Sequence, residues 1–237
     1  MLVMLRDGDG RCRRSAAVGR IAAAGAAALV VTAWLGGASG VLPTSAATAP
    51  AGATPAGIER LTIVQPSSTV TYRVGETFVT GNRVNLAVGT THAVRGDVYV
   101  DRAHPSNSRI GAITVDISTF QSDRGRRDEA IRSEWLESSK YPTAVFTPAA
   151  IRGLPASYTE GQEVPVQILG TLRVRDVTKP ETFTGTVKLT GHTLTGSVQT
   201  SILMTDFGFD PPSILGVLKA ENQAQIELQF TAQPPEG

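Results

Sequence analysis

From Ile58 onward the sequence repeats one signal: apolar residues at every second position, in short runs divided by turn residues. Successive side chains of a strand point to opposite faces, so a period of two marks strands with one buried and one wet face. Val70, Tyr72 and Val74 alternate with Thr69, Thr71 and Arg73, and Val84, Leu86 and Val88 with Arg83, Asn85 and Ala87. Val94, Val98 and Val100 form a further row that includes Gly96, and Ile113, Val115 and Ile117 face away from Thr114, Asp116 and Ser118. The second half repeats the pattern with Ile168, Leu172 and Val174, then Phe183, Val187 and Leu189, then Leu194, Val198, Ile202 and Met204, and last Ala224, Ile226, Leu228 and Phe230. With a shorter run at Thr143 to Thr147, about nine strands are expected.

Strands apolar on one face only belong to antiparallel sheets. Nine of them in one domain bury those faces either as two stacked sheets or as a sheet closed into a barrel. Turn signals at Gly89, Asp101 to Ser108, Gly153 to Gly161 and Gly191-His192 separate the runs. Gly96, Gly170, Gly185 and Gly196 fall inside strand rows, where glycine marks bulges and barrel bends, and this favours the barrel. The region 58–233 is read as one domain, and at about 175 residues it buries about two thirds of its unfolded surface without a disulfide. The single cysteine, Cys12, lies outside it, with no lipid-attachment pattern before it, so the domain has no thiol for redox or metal chemistry.

Ahead of the domain stand a basic arm (1–20), an apolar stretch (21–42) and a connection of Pro, Ala, Gly, Thr and Ser (43–57); residues 234–237 form a tail. The arm carries Arg6, Arg11, Arg13, Arg14 and Arg20 against Asp7 and Asp9, and no charged residue follows until Glu59. A basic arm before an apolar helix is the layout of a signal peptide or membrane anchor, with the following domain sent outward. Two outcomes stay open: residues 21–42 remain as a transmembrane anchor, or they are removed near 46–47 and the domain is secreted. Either way the domain is expected to be extracytoplasmic, and the connection reads as a flexible tether. The whole chain carries a net charge of only +1. Its domain lacks the clustered Lys and Arg on which nucleic-acid affinity rests, so nucleic acid is not an expected partner.

One segment breaks the alternation. Asp123 to Leu136 (DRGRRDEAIRSEWL) is charged, with Ile131 and Trp135 four apart, and reads as a short amphipathic helix. Arg126, Arg127, Asp128 and Glu129 are expected on its solvated face, with Trp135 plugged against the sheet.

From Arg126 to Pro148 the sequence RRDEAIRSEWLESSKYPTAVFTP resembles the signature segment of the YceI-like family. Three more segments match in order: GTLRVRDVTKPETF from Gly170 to Phe183, MTDFGF from Met204 to Phe209, and the closing VLKAENQAQIELQF. The likeness spans nearly all of Ile58 to Ala232. It implies a lipocalin-like antiparallel barrel, periplasmic or secreted, whose elongated apolar cavity holds a polyisoprenoid or similar long-chain lipid. Asp128, Trp135, Pro142, Thr178, Asp206 and Phe207 are the family-motif positions, structural or at the cavity mouth. Two positions depart from the pattern: Thr205 stands where a basic residue usually precedes Asp-Phe-Gly, and Pro66-Ser67-Ser68 replaces an early His-Ser pair.

The expected architecture is therefore all-β, a lipocalin-like antiparallel barrel with a short helix between strands, preceded by an apolar N-terminal helix. A barrel of about eight strands either fills with side chains or holds one slender ligand. The inward rows are rich in Val, Ala and Gly, so a hollow interior and a solid core both fit them. The candidate ligand-binding residues, with Val70, are Tyr72, Leu86, Phe146, Ile168, Val198, Ile202 and Ile226. Tyr72 adds a polar handle. If the core is solid instead, the domain is a tethered structural or protein-interaction module.

Nothing in the sequence assembles catalysis or calls for a cofactor. His92, His104 and His192 lie in turn regions without shared spacing, and no His/Cys/Asp/Glu group has metal-ligand spacing. Asp206-Phe207-Gly208 lacks the other motifs that make a kinase. Asp128 is expected to cap or pair within its helix, and Asp206 to fix a turn by accepting backbone hydrogen bonds.

Overall fold

The computed structural model describes residues 57–78, 83–214 and 217–236. The basic arm, the apolar stretch 21–42 with its expected helix, and the tether up to residue 56 lie outside the described residues. Among the described residues no helix is long and apolar enough to cross a membrane.

Strands form wherever the alternation runs: β1 (Ile58–Ile63), β2 (Thr69–Phe78), β3 (Arg83–Thr91), β4 (Val94–Arg95), β5 (Asp97–Asp101), β6 (Arg109–Ile110) and β7 (Ile113–Asp116). After β8 (Gln121–Ser122) and a helical segment come β9 (Thr143–Arg152), β10 (Glu163–Val174), β11 (Val177–Thr190) and β12 (Thr193–Leu203). A short β13 (Ser213–Ile214) precedes the longest strand, β14 (Leu218–Gln233). β1, which the alternation did not announce, joins β14 to β5.

All pairings are antiparallel, in the order β4-β7-β9-β10-β11-β12-β14-β1-β5-β6, with β2 also on β14, β3 on β2 and β8 on β3. The result is an all-β, curled sheet, a half-barrel, with one short helix. β14 is its spine. One edge pairs with β12, and the other pairs first with β2 and then, at Ala232 and Gln233, with β1. Strand twist supplies the curl, sharpened where the register shifts between Leu169 and Gly170 and between Ala220 and Ala224.

The inward rows form one apolar core that includes Val70, Tyr72 and Val74 of β2, Ile168 and Leu172 of β10, and Val198 and Ile202 of β12. The row Val84, Leu86 and Val88 does not join them. These residues are 78%, 55% and 36% exposed, on the outer face of β3. β2 sets this register. Tyr72 stands opposite Gly89, Val74 opposite Ala87 and Glu76 opposite Asn85. The Tyr72 ring lies across Gly89, where even a Cβ would collide with it, and Asn85 donates to Glu76 at 3.0 Å. A one-residue slip would reverse every side chain of the strand, so the face that fits Tyr72 goes in and the aliphatic row goes out.

The charged segment is α1 (Gly125–Ala130) continued by a single π turn, Ile131–Trp135. Arg132 donates to the Phe120 carbonyl at 3.1 Å, and Arg175, from the β10–β11 turn, donates to the Trp135 carbonyl at 3.3 Å and pairs with Glu137. The expected solvated face holds only for Arg126 and Glu129, which are exposed. Arg127 and Asp128 turn inward because one charged partner, Glu76 of β2, and one serine, Ser122 of β8, lie beneath them.

Candidate functional site

The half-barrel is hollow. A cavity of about 580 Å³ runs through it, within the range of about 300–1,000 Å³ usual for ligand sites. Its wall is built from the inward rows, and Ile131, Trp135 and Leu136 of the helical segment cover one end, here called the α1 end. Of the residues singled out from the sequence, Val70, Tyr72, Phe146, Ile168, Val198, Ile202 and Ile226 come together on this wall. Leu86 does not, for the register reason given above. The wall is tied by edge-to-face ring contacts, Phe146 on Phe183 with centroids 4.7 Å apart and Tyr72 on Phe120 at 5.2 Å.

Polar groups lie at both ends of the cavity: Asp101, Arg102, Tyr158 and Gln162 at the far end, and Glu76, Arg124, Arg126 and Arg127 at the α1 end. Glu76 continues the inward row of β2, and its carboxylate accepts from Arg127 at 3.1 Å and from Asn85 at 3.0 Å. Both side chains of this ion pair are nearly buried, 8% exposed for Glu76 and 11% for Arg127. Arg127 also pairs with Asp123. Burial alone would lower the pKa of its guanidinium; Asp123 and Glu76 outweigh that and raise it. Asp128 is buried too, and it accepts from the Ser122 amide at 3.0 Å and from the Ser122 hydroxyl at 2.6 Å. It therefore fastens α1 to β8 instead of capping its own helix. Glu76 went unnoticed in the sequence, and Arg127 was expected on the solvated face of its helix. The legible signal was Glu76 itself, a charge in register with Val70, Tyr72 and Val74.

The Tyr72 hydroxyl is buried with no hydrogen-bond partner among the described residues. Burial, reinforced by the nearby charge of Asp128, pushes it up to about 12. The ring covers the cavity wall while the hydroxyl, lying over Gly89, is closed off from solvent.

The family-motif positions separate into roles. Trp135 lines the cavity. Pro142 is exposed, and its carbonyl accepts from the Ile117 amide at 2.9 Å. Thr178 is exposed on the outer face of β11. Phe207 is buried at 1% exposure in the 3-10 turn Met204–Phe207. Asp206 in the same turn is exposed and accepts no backbone hydrogen bond among the described residues. Asn222 holds that turn instead, accepting from the Thr205 amide at 3.1 Å, and Gly208 ends it at φ +78°. No group of three His, Cys, Asp or Glu placed to hold a metal occurs among the described residues.

Residues 61–232 match the model of the YceI-like domain. The chain is 30% identical over 96 residues to the Protein YceI of Salmonella arizonae and, equally, to that of Salmonella paratyphi B, covering 40% of this chain. The match spans about half the length of these curated relatives, 46%. Among solved structures the fold is similar to Burkholderia cenocepacia BcnA, with TM-score 0.54 and 18% identity over 72% of this chain and 99% of that one. It is also similar to a polyisoprenoid binding domain from Saccharophagus degradans, with TM-score 0.55 and 14% identity over 74% of this chain and 98% of the other. With its family model matched across almost the whole described domain, the chain belongs to the YceI-like family.

Proposed function

We propose that this protein is an extracytoplasmic carrier that holds one long-chain apolar lipid, polyisoprenoid-like, in a lipocalin-like barrel. The cavity of about 580 Å³ carries this reading. An apolar chain in it gains on the order of 25 cal/mol per Å² of its surface removed from water and needs no charged partner. The name of the Saccharophagus degradans domain supports the ligand class. Tyr72, Phe146, Ile168, Val198, Ile202 and Ile226 are the contact residues. The domain acts by binding and not by catalysis. Residues 21–42 either anchor it to the membrane or are cleaved near 46–47.

The test is mass spectrometry of lipids extracted from full-length protein purified under native conditions. A long-chain apolar lipid at near-stoichiometric amount is expected; its consistent absence from protein taken from its native membrane fraction refutes the proposal.

A further inference from the structure

The exposed large hydrophobic residues of the described chain are Val84, Leu86, Val88, Leu203 and Val217. They are not scattered. Leu86 pairs across to Gly75 of β2, and the next strands bring Ala224 of β14, beside Val74, and Leu203 of β12, opposite Gln223, to nearly the same level. Val84 lies nearer the strand end, opposite Thr77, and Val217 precedes Leu218, which pairs with Phe78. All of these lie toward the α1 end of the sheet, where β2 ends and β3 and β14 begin.

The same rim carries arginines. Arg83 and Arg124 each stand over the Phe78 ring, at 5.8 and 5.7 Å from its centroid. Arg124 and Arg126 line the cavity where it meets this rim. Arg83 and Arg126 have no ion pair among the described residues; Arg124 lies 3.7 Å from Asp123. Glu221, its carboxyl folded over Gly75, lies between the aliphatic residues, and the exposed acids Glu129 and Asp206 stand at the same end.

From this juxtaposition of an aliphatic row, arginines and a cavity mouth, we infer that the α1 rim is a docking surface for an anionic lipid bilayer. The spacing fits. Val84 to Val88 covers about 13 Å of strand at about 3.3 Å per residue, and strands tilted by about 40° turn that into about 10 Å of depth. Amphipathic surfaces bury about 5–10 Å into the boundary between headgroups and acyl chains. Exposure falls along the row in the same direction, from 78% at Val84 to 36% at Val88. The arginines, set beside the row, meet lipid phosphates, each adding about 1 kcal/mol near an anionic surface. An apolar ligand then passes between bilayer and cavity without crossing water. That last step rests on the carrier reading; the docking itself does not.

The experiment uses the full chain with Cys12→Ser and single cysteines, Leu86→Cys and Val217→Cys at the rim and Thr159→Cys at the far end of the cavity, each carrying an environment-sensitive fluorophore. The protein is reconstituted into vesicles of phosphatidylcholine and phosphatidylglycerol containing a quencher in the acyl region. Rim labels are expected to shift to the blue and to be quenched, with the Thr159 label unaffected. Val84→Asp with Leu86→Asp, both on an exposed face and checked by an unchanged melting temperature, lowers quenching of the Val217 label about tenfold. Glu221→Gln raises it. Rim labels no more quenched than the Thr159 label, or quenching unmoved by the aspartates, overturns the inference. Lipid extraction reports the carrier reading separately, so the two stand or fall independently.

Discussion

Ile202→Phe tests whether the space inside the half-barrel is real. Ile202 is 6% exposed, lines the cavity and stands opposite Ala224, so a larger side chain grows toward open volume and not into a neighbour of its own size. The substitution adds about three carbons, and at about 0.8 kcal/mol for each one buried, the ligand-free fold gains up to about 2 kcal/mol. In a solid core the same change costs about 1–3 kcal/mol. The sign separates the two. For a domain of this size each kcal/mol moves the melting temperature by about 2–4 °C, so delipidated variant protein should melt up to about 8 °C above delipidated wild type. The occupied form should respond in the opposite sense, because bound lipid stabilises by mass action and the new ring competes for its place. Thermal melting of both proteins before and after lipid extraction measures all four values. A ligand-free variant melting several degrees below wild type would refute the hollow interior.

Glu76→Gln leaves Arg127 with Asp123 alone; breaking this nearly buried pair is expected to cost about 2–3 kcal/mol, read as a drop of about 4–12 °C in melting temperature. Tyr72→Phe removes a buried hydroxyl without a hydrogen-bond partner among the described residues and should leave stability at neutral pH equal or higher. The same variant checks the alkaline limb: with the folded-state value near 12 against about 10 unfolded, wild-type stability holds below pH ~10 and falls by about 2–3 kcal/mol as pH rises through ~12, a loss that Tyr72→Phe should not show in urea titrations. Leu86→Ser should change stability by less than about 0.5 kcal/mol, whereas Gly89→Val, which drives a side chain into the Tyr72 ring, should cost about 2 kcal/mol or more; chemical denaturation of the pair distinguishes an outward from an inward row on β3.

Most of the wall was legible because alternation is a local property. Val70, Tyr72 and Val74, or Leu194, Val198 and Ile202, declare their shared face without reference to any other strand. β3 shows where that stops: Val84, Leu86 and Val88 are the better hydrophobic row, yet the opposite row faces in because its residues fit Tyr72, Val74 and Glu76. Only the partner strand carries that information. Arg127 and Asp128 were misplaced for a related reason. A charged helix of this composition normally faces water, and what pulls Arg127 inward is Glu76, 51 residues earlier in the chain. The hollow could not be read from side-chain sizes, since Val-rich rows line cavities and solid cores alike; it follows from how far the curled sheet holds opposite strands apart.

The polar groups at the α1 end bear on what the cavity selects. Glu76 is spent on Asn85 and Arg127, and Arg127 on Glu76 and Asp123. The Tyr72 hydroxyl, an inward-row polar atom without a partner among the described residues, is closed off against Gly89. A ligand entering this space therefore meets no buried group that needs it as a partner, and it forfeits nothing by lacking polar atoms. Discrimination of the stronger kind, where a site rejects analogues because its own donors would go unpaired, is absent by construction. What remains is apolar contact, worth about 0.8 kcal/mol for each carbon until the space is full. Selection is then by chain length and slenderness inside the half-barrel, and any preference for a headgroup comes from the polar residues at its two ends, Arg124 and Arg126 at the α1 end and Arg102, Tyr158 and Gln162 at the other.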